Sequence, residues 1–329
     1  MTSEGSKCPL PSAFRVIILM PVYRDWECAS AVCRCLDEEL SRLPQVEARA
    51  LLVDDGSPDG MDSWTPFEVH ALVRIDALRL RRNVGHQRAI CVGICYIYEH
   101  MPCDAVLIMD ADGEDRPEDA VRLVEMAMSN PGEVLFAARR KRFEGAVFQA
   151  GYTSFRILHR ILTGVSVRVG NFSIVPSEVL GRLTCMTELW NHYAGAVFKS
   201  RVRFECIPMD RGRRVQGRSQ MDLVSLVIHG IAGISSAHET VATRILISNV
   251  ICLGLLFVTL VAVFGIRLLT DRAIPGWATY ATGLVLILLV QLLAVSFSLV
   301  FSLISNRTSM TFLPVRDYAL FVNKLDNLA

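Results

Sequence analysis

Apolar residues recur along the first half of the chain in two alternating patterns. Phe14-Arg-Val-Ile-Ile-Leu-Met20 is a short apolar run stopped by Pro21, the pattern of a strand buried on both faces and ending at a loop. From Asp25 to Leu43 the spacing becomes helical, with Cys28, Val32, Cys35, Leu36 and Leu40 along one face. Ala48 to Val53 reads as a second strand, closed by the turn-rich Asp54-Asp-Gly-Ser-Pro-Asp-Gly60. The alternation continues through a strand over Val73–Leu80, a helix over Gln87–His100 and a strand over Ala105–Met109. Pro117 then opens a helix with Glu118 and Asp119 in its first turn, where the helix dipole favours them, and Val134–Ala138 adds a strand. Strands and helices in this order predict an open, mostly parallel sheet with right-handed crossovers, whose ligands gather at the carboxyl ends of the strands.

Beyond Gly151 the pattern loosens into an apolar helix over Phe155–Leu162, a turn at Gly170-Asn-Phe-Ser173 and an arginine-rich loop. Leu223 to Ile234 is apolar enough to lie in a membrane interface, with a buried core helix as the alternative. No charge interrupts Ile245–Ile266 or Ala273–Asn306, and each stretch meets the roughly 20 residues a helix needs to cross a bilayer. The Arg267–Arg272 connection is short, so the two helices form a hairpin. Arg211, Arg213, Arg214, Arg218 and Arg244 precede it and Arg307, Arg316 and Lys324 follow it, which predicts that both termini face the cytoplasm. Residues 1–222 are expected to form the catalytic domain, 223–244 an interfacial region, 245–306 the hairpin and 307–329 a tail.

Composition sharpens this picture. Hydrophobic residues make up 52% of the 329 residues, and mean hydropathy is +0.37. Thirty-four basic side chains against 33 acidic ones give a net charge of +1, without the field that nucleic-acid binders use. Met1–Phe14 offers no signal-peptide core, which fits a cytoplasmic domain, and the ten cysteines lack metal-ligand spacing and read as reduced core side chains. None of His86, His159, His192, His229 and His238 has metal spacing, and none is given a catalytic role.

The most informative polar feature is Asp110-Ala111-Asp112, directly after an apolar strand. Residues i and i+2 of a strand share a face, so two carboxylates there could converge on one hard cation, Mg²⁺ or Mn²⁺ rather than zinc. No phosphate-binding Gly-x-x-x-x-Gly-Lys-Ser/Thr loop, dinucleotide-binding glycine turn or Gly-x-Ser-x-Gly elbow occurs.

Pro21-Val-Tyr23, Val53-Asp-Asp-Gly-Ser57, Arg82-Asn-Val-Gly85, Asp110-Ala-Asp112 and Gly217-Arg-Ser219 stand in an order that resembles the inverting glycosyltransferase family 2, in its polyprenyl-phosphate branch. The resemblance covers about residues 14–225 and implies a GT-A fold, an α/β Rossmann-like domain followed here by two transmembrane helices. It implies that Pro21, Tyr23, Asp25, Val53, Asp55, Asp110 and Ala111 line the site of a UDP- or GDP-sugar. Asp110, Asp112 and Glu114 would hold Mg²⁺ or Mn²⁺, with Asp112 essential to catalysis. Arg139, Arg214 and Arg218 would seat the phosphate of a polyprenyl acceptor. For Asp54-Asp55 the plainer reading is a turn whose carboxylates cap backbone amides. Where many members carry Gly-Asp-Phe-Arg and Gly-x-Ser-Lys, this chain has Gly170-Asn171-Phe172-Ser173 and Gly217-Arg-Ser-Gln220. Two rival readings follow: a hydroxyl acceptor with Glu188 as base, and a non-catalytic nucleotide-sugar-binding subunit. A channel component ranks below both, because neither helix carries an intramembrane ionisable residue. Small residues such as Gly254 and Ala262 offer a surface on which copies of the chain could associate as a homo-oligomer.

Overall fold

The computed structural model describes residues 13–139, 160–162, 169–210, 212, 238–269, 276–308 and 312–329, and it divides into two units. The first is built on one sheet. Its elements are β1 (Phe14–Val22), α1 (Trp26–Leu40), β2 (Val46–Asp54), β3 (Leu72–Leu80), α2 (His86–His100), β4 (Ala105–Ile108), α3 (Pro117–Ser129) and β5 (Val134–Arg139). There follow β6 (Val169–Pro176), α4 (Ser177–Thr184), a 3₁₀ turn (Thr187–Trp190), α5 (Tyr193–Lys199) and β7 (Phe204–Met209). The last pieces of this unit are α8 (Pro314–Asp317), a 3₁₀ turn (Tyr318–Leu320) and β8 (Val322–Asn327).

The eight strands run in the order β7-β5-β6-β4-β1-β2-β3-β8. β6 lies antiparallel to both β4 and β5, and β8 antiparallel to β3; the other pairings are parallel. The sheet is therefore mostly parallel, as the pattern predicts. Alternate residues of each strand enter two different cores: Val16, Ile18, Met20 and Leu52 face one with α1 and α3, while Ile17, Leu19, Leu51 and Val53 face the other with α2, α4 and α5. On that second face α2 lies close because Gly93 has no side chain. A Cβ there would run into Leu19 and come within 2.9 Å of Val53 Cγ2.

Three elements depart from the sequence expectations. β1 does not stop at Pro21 but runs on to Val22, paired with β2 up to Val22↔Asp54, while its register with β4 ends at Leu19↔Ile108. A proline has no N–H to extend a ladder, and Pro21 lies beyond the part of β1 that β4 pairs. The Gly170–Ser173 segment is not a turn but part of β6, because Ser173 is sandwiched between Ile108 of β4 and Phe136 of β5, with Phe172 in the core. The tail supplies β8, which closes the β3 edge and is extended by Ile75 N–H to Ala329 O at 2.9 Å. The Phe155–Leu162 helix falls largely outside the described residues, which include only its last turn, 160–162.

The second unit contains α6 (His238–Leu269) and α7 (Trp277–Thr308). Each is long and apolar enough to cross a membrane, and only 6% of each apolar stretch is buried. Val263 and Val285 lie buried in this unit, and the Asn249 side-chain amide donates to Ser296 Oγ at 3.3 Å between the helices. Arg244, near the start of α6, donates to the Ile161 carbonyl at 2.6 Å.

One buried charge ties α1 to the start of β3. Asp37 is 3% exposed, and its carboxylate accepts the backbone N–H groups of His70, Ala71 and Leu72, the last two at 2.8 and 2.7 Å. Asp37→Leu leaves three amides without their acceptor, of which the buried Leu72 N–H costs about 1–3 kcal/mol and the two part-buried ones less. We expect it to lower the apparent melting midpoint of the detergent-solubilised protein by many degrees; an unchanged midpoint would show that these amides find other acceptors.

Candidate functional site at the carboxyl edge of the sheet

Four loops leave the carboxyl ends of β1, β2, β3 and β4, and polar side chains in them are committed to holding one another's backbone. Asp55 N–H donates to the Val22 carbonyl at 2.8 Å, and the Asp55 carboxylate accepts the amides of Val84 at 2.7 Å and Gly85 at 2.9 Å. Asp54 accepts the Ser57 amide at 3.0 Å and lies 3.5 Å from Arg79 Nε. Ser57 Oγ in turn accepts from Arg24 N–H at 3.0 Å, and Arg24 occupies the left-handed region at φ 62°, unusual for a residue with a Cβ. Gly56 is forced by the same packing. Its φ is +71°, and a Cβ would sit 2.6 Å from the backbone of Arg82 and Asn83. Burial pushes the Asp55 carboxyl up, opposed by the two amides and by His86.

The acidic motif is not on a strand. β4 ends at Ile108, and Asp110 to Asp115 form a turn through Gly113 at φ +83°. The turn forms because its own carboxylates hold its amides: Asp115 accepts Asp110 N–H at 2.9 Å, and Asp112 accepts Glu114 N–H at 3.0 Å. Asp115 is thus not the cap of α3, whose N-cap position is Arg116 without a side-chain cap. The Glu114 carbonyl accepts from Gly212 N–H at 2.9 Å. Among the described residues no group of three or more His, Cys, Asp or Glu side chains is gathered as a closed metal cage. Two oxygen donors in a turn nonetheless fit a hard cation of the Mg²⁺ type, which is held by one or two carboxylates and completes its shell with water and substrate phosphates.

His86, the first residue of α2, is the residue that sequence reasoning missed. Its Nε2 lies 3.2 Å from Asp110 Oδ1 and 3.0 Å from Asn171 Nδ2. The orientation of that amide is fixed by a chain of bonds. Tyr193 N–H donates to Gln87 Oε1 at 2.8 Å, so Gln87 Nε2 donates to Asn171 Oδ1 at 3.0 Å, which turns Asn171 Nδ2 toward the imidazole. Ser173 Oγ donates to the Asn171 carbonyl at 2.8 Å and meets the buried Tyr193 hydroxyl at 2.7 Å. Crowding by protein lowers the pKa of His86, but the carboxylates of Asp110, Asp115 and Asp55 outweigh it and hold the ring above its ordinary value. The available signal was position, since His86 directly follows Arg82-Asn-Val-Gly85.

The other expected residues are placed unevenly. Tyr23 is 37% exposed beneath the Arg24 guanidinium, 5.4 Å from its ring centre, and Asp25 stands at the N-cap position of α1. Pro21 pairs with Val53 in the ladder, and the Val53 side chain is fully buried, facing Gly93 rather than a ligand. Ala111 is 5% exposed within the acidic turn. Arg139 closes β5; Arg214, Arg218 and Gln220 lie outside the described residues. Glu188, the base of the hydroxyl-acceptor reading, lies in the 3₁₀ turn with its carboxylate 2.6 Å from Lys199 Nζ. A cleft lined by Glu133, Glu178, Arg182, Arg201 and Arg203 opens at the amino ends of β5 and β7, away from these loops.

Two sequence relatives of the chain carry transferase names. The chain is 25% identical over 285 residues to the uncharacterized glycosyltransferase YkcC of Bacillus subtilis, covering 83% of this chain and 85% of that protein. It is 24% identical over 201 residues to the undecaprenyl-phosphate 4-deoxy-4-formamido-L-arabinose transferase of Klebsiella pneumoniae, covering 60% of this chain and 56% of that relative's length. The glucosyl-3-phosphoglycerate synthase of Mycobacterium tuberculosis, solved with Mn²⁺, UDP and glucosyl-3-phosphoglycerate, aligns at 15% identity and a TM-score of 0.47, over 69% of this chain and 80% of that one. The family model for glycosyl transferase family 2 matches residues 17–183, about half the chain, from within β1 through β6, and the protein belongs to that family.

Proposed function

We propose that this protein moves a sugar from a UDP- or GDP-sugar to polyprenyl phosphate at the cytoplasmic face of a membrane, with inversion at the anomeric carbon. The observation that carries the reading is the acidic turn Asp110–Asp115, set at the carboxyl edge beside the loops that Asp55 and Gly56 brace together. The undecaprenyl-phosphate transferase relative supports the acceptor, and the two apolar helices support residence in the bilayer where such a lipid is found.

In this reading Asp110, Asp112 and Glu114 hold Mg²⁺ or Mn²⁺, which when bound neutralises the diphosphate as it departs. Tyr23 and Asp25 flank the nucleotide, and Pro21 shapes the backbone beneath it. Asp55 acts through the Val84–Gly85 amides as a positioning residue. The family resemblance assigns Arg139, Arg214 and Arg218 to the acceptor. A phosphate oxygen of the acceptor attacks the anomeric carbon, the bond from that carbon to the diphosphate oxygen breaks, and the nucleoside diphosphate leaves with the electron pair. A phosphomonoester with a second pKa near 6 is already largely dianionic at pH 7. No base has to remove a proton from it. In this scheme the sheet-bearing unit, with β8 from the tail, is the catalytic domain, 223–244 its interfacial region and 245–306 the spanning hairpin, with both termini on the cytoplasmic side.

Asp112→Ala should lower sugar transfer on the order of 100-fold, the scale of a lost contribution of several kcal/mol to the departing charge, and chelation of the wild type should do the same reversibly. Transfer by Asp112→Ala at the wild-type rate would overturn the assignment. Gly56→Ala, which pushes Arg82 and Asn83 out of place, should raise the Kd for the nucleoside diphosphate about tenfold, a loss of about 1.4 kcal/mol, in equilibrium titration.

A further inference from the structure

Arg82 and Arg88 flank α2's first residues, and neither makes an ion pair among the described residues; their guanidinium groups lie instead over aromatic rings. Arg82 stands 5.7 Å from the ring centre of Phe321 and Arg88 5.2 Å from that of Trp190. Those two rings are 4.9 Å apart, and Phe312 joins them at 4.1 Å from Trp190. All three aromatics are partly exposed, so the surface presents two uncompensated cations beside a continuous apolar patch. The neighbouring Arg81, by contrast, is used structurally, its Nε donating to the Val322 carbonyl at 3.0 Å.

In sequence, Phe312 follows Thr308, the end of the apolar helix α7, by four residues. Aromatic rings mixed with arginines suit the headgroup level of a bilayer. The patch adjoins the candidate site, since Arg88 shares the first turn of α2 with His86, which touches Asp110.

We propose that the surface formed by Arg82, Arg88, Trp190, Phe312 and Phe321 receives the phosphate end of the membrane lipid acceptor. The guanidinium forks would bind the phosphomonoester, and the rings would cover the first apolar carbons of the chain. The inference rests on the polyprenyl-phosphate reading of the acceptor and adds to it the residues that take that lipid out of the bilayer.

Native mass spectrometry of the full-length, detergent-solubilised protein tests it, with polyprenyl phosphate and phosphatidylglycerol offered separately and inorganic phosphate as competitor. Wild type should retain polyprenyl phosphate, and an Arg82→Gln/Arg88→Gln protein should retain at least about tenfold less, with phosphatidylglycerol retention unchanged and the melting midpoint close to wild type. Arg88→Lys, which keeps the charge and stem, should fall between the two and reports on the fork if the double variant folds poorly. Inorganic phosphate should displace the lipid only weakly, since it lacks the apolar chain; displacement at equal concentration would mean a free-phosphate site and overturn the lipid assignment. Undiminished retention by the double variant overturns this surface alone, as does an equal loss of phosphatidylglycerol, which would make it a general anionic-lipid contact. Wild type that neither retains nor glycosylates polyprenyl phosphate overturns the acceptor reading and this inference with it.

Discussion

A carboxylate taken out of water needs hydrogen-bond donors, and in this protein the donors are backbone amides of neighbouring loops. Asp37, Asp54, Asp55 and Asp115 are all at most 4% exposed, and each accepts at least one main-chain N–H. Asp54 and Asp55 stand at the carboxyl end of β2, and Asp115 in the turn that follows β4. Each satisfies itself by holding a neighbouring segment in a fixed position: Asp54, Asp55 and Asp115 hold loops around the candidate site, and Asp37 holds the entry to β3 at the other edge of the sheet. The left-handed backbone at Arg24 and the crowding around Gly56 are consequences of the same arrangement. Oxygen-rich donors at the edge of the sheet are thus held by a framework that is itself electrostatic.

The mixed sheet serves the same end. Reversing β6 between β4 and β5 brings Asn171 and Ser173 into reach of the first turn of α2, so one relay runs from the Tyr193 amide through Gln87 to Asn171, whose amide nitrogen faces His86 beside the acidic turn. Asparagine at 171 supplies both a donor and an acceptor to that relay, which an aspartate could not do when ionised. The departure from the more common family pattern is accommodated by neighbours chosen to match it. At the opposite edge the C-terminal strand covers β3, and Tyr318 seals it by donating to Glu99 at 2.5 Å.

Much of this was legible from the chain. Continuous apolar runs and 3.6-residue spacing located β1 to β5 and α1 to α3 to within a few residues, because strands buried on both faces leave no ambiguity about their surroundings. The two apolar helices were equally plain. What escaped detection depended on tertiary partners. Gly170–Ser173 looks like a turn until β4 and β5 close around it, and Val322–Asn327 is too polar to announce an edge strand. Strand alternation was carried past Met109 to put Asp110 and Asp112 on one face, whereas their own hydrogen bonds with local amides fold them into a turn. Asp55 was read both as a ligand and as a cap, and its carboxylate accepts the amides of Val84 and Gly85. His86 was passed over because histidine pairs were sought by sequence spacing, and its partners lie on β6 and beyond β4.

The central claim is that the carboxyl edge of this sheet transfers a sugar onto a lipid phosphate. It is tested most directly by incubating purified full-length protein with radiolabelled UDP- and GDP-sugars, polyprenyl phosphate and Mn²⁺, and then counting label in the organic extract. The account predicts an acid-labile labelled lipid that forms with one donor class and disappears with EDTA. Donor hydrolysis or binding without label in the lipid, across the whole panel, would contradict it.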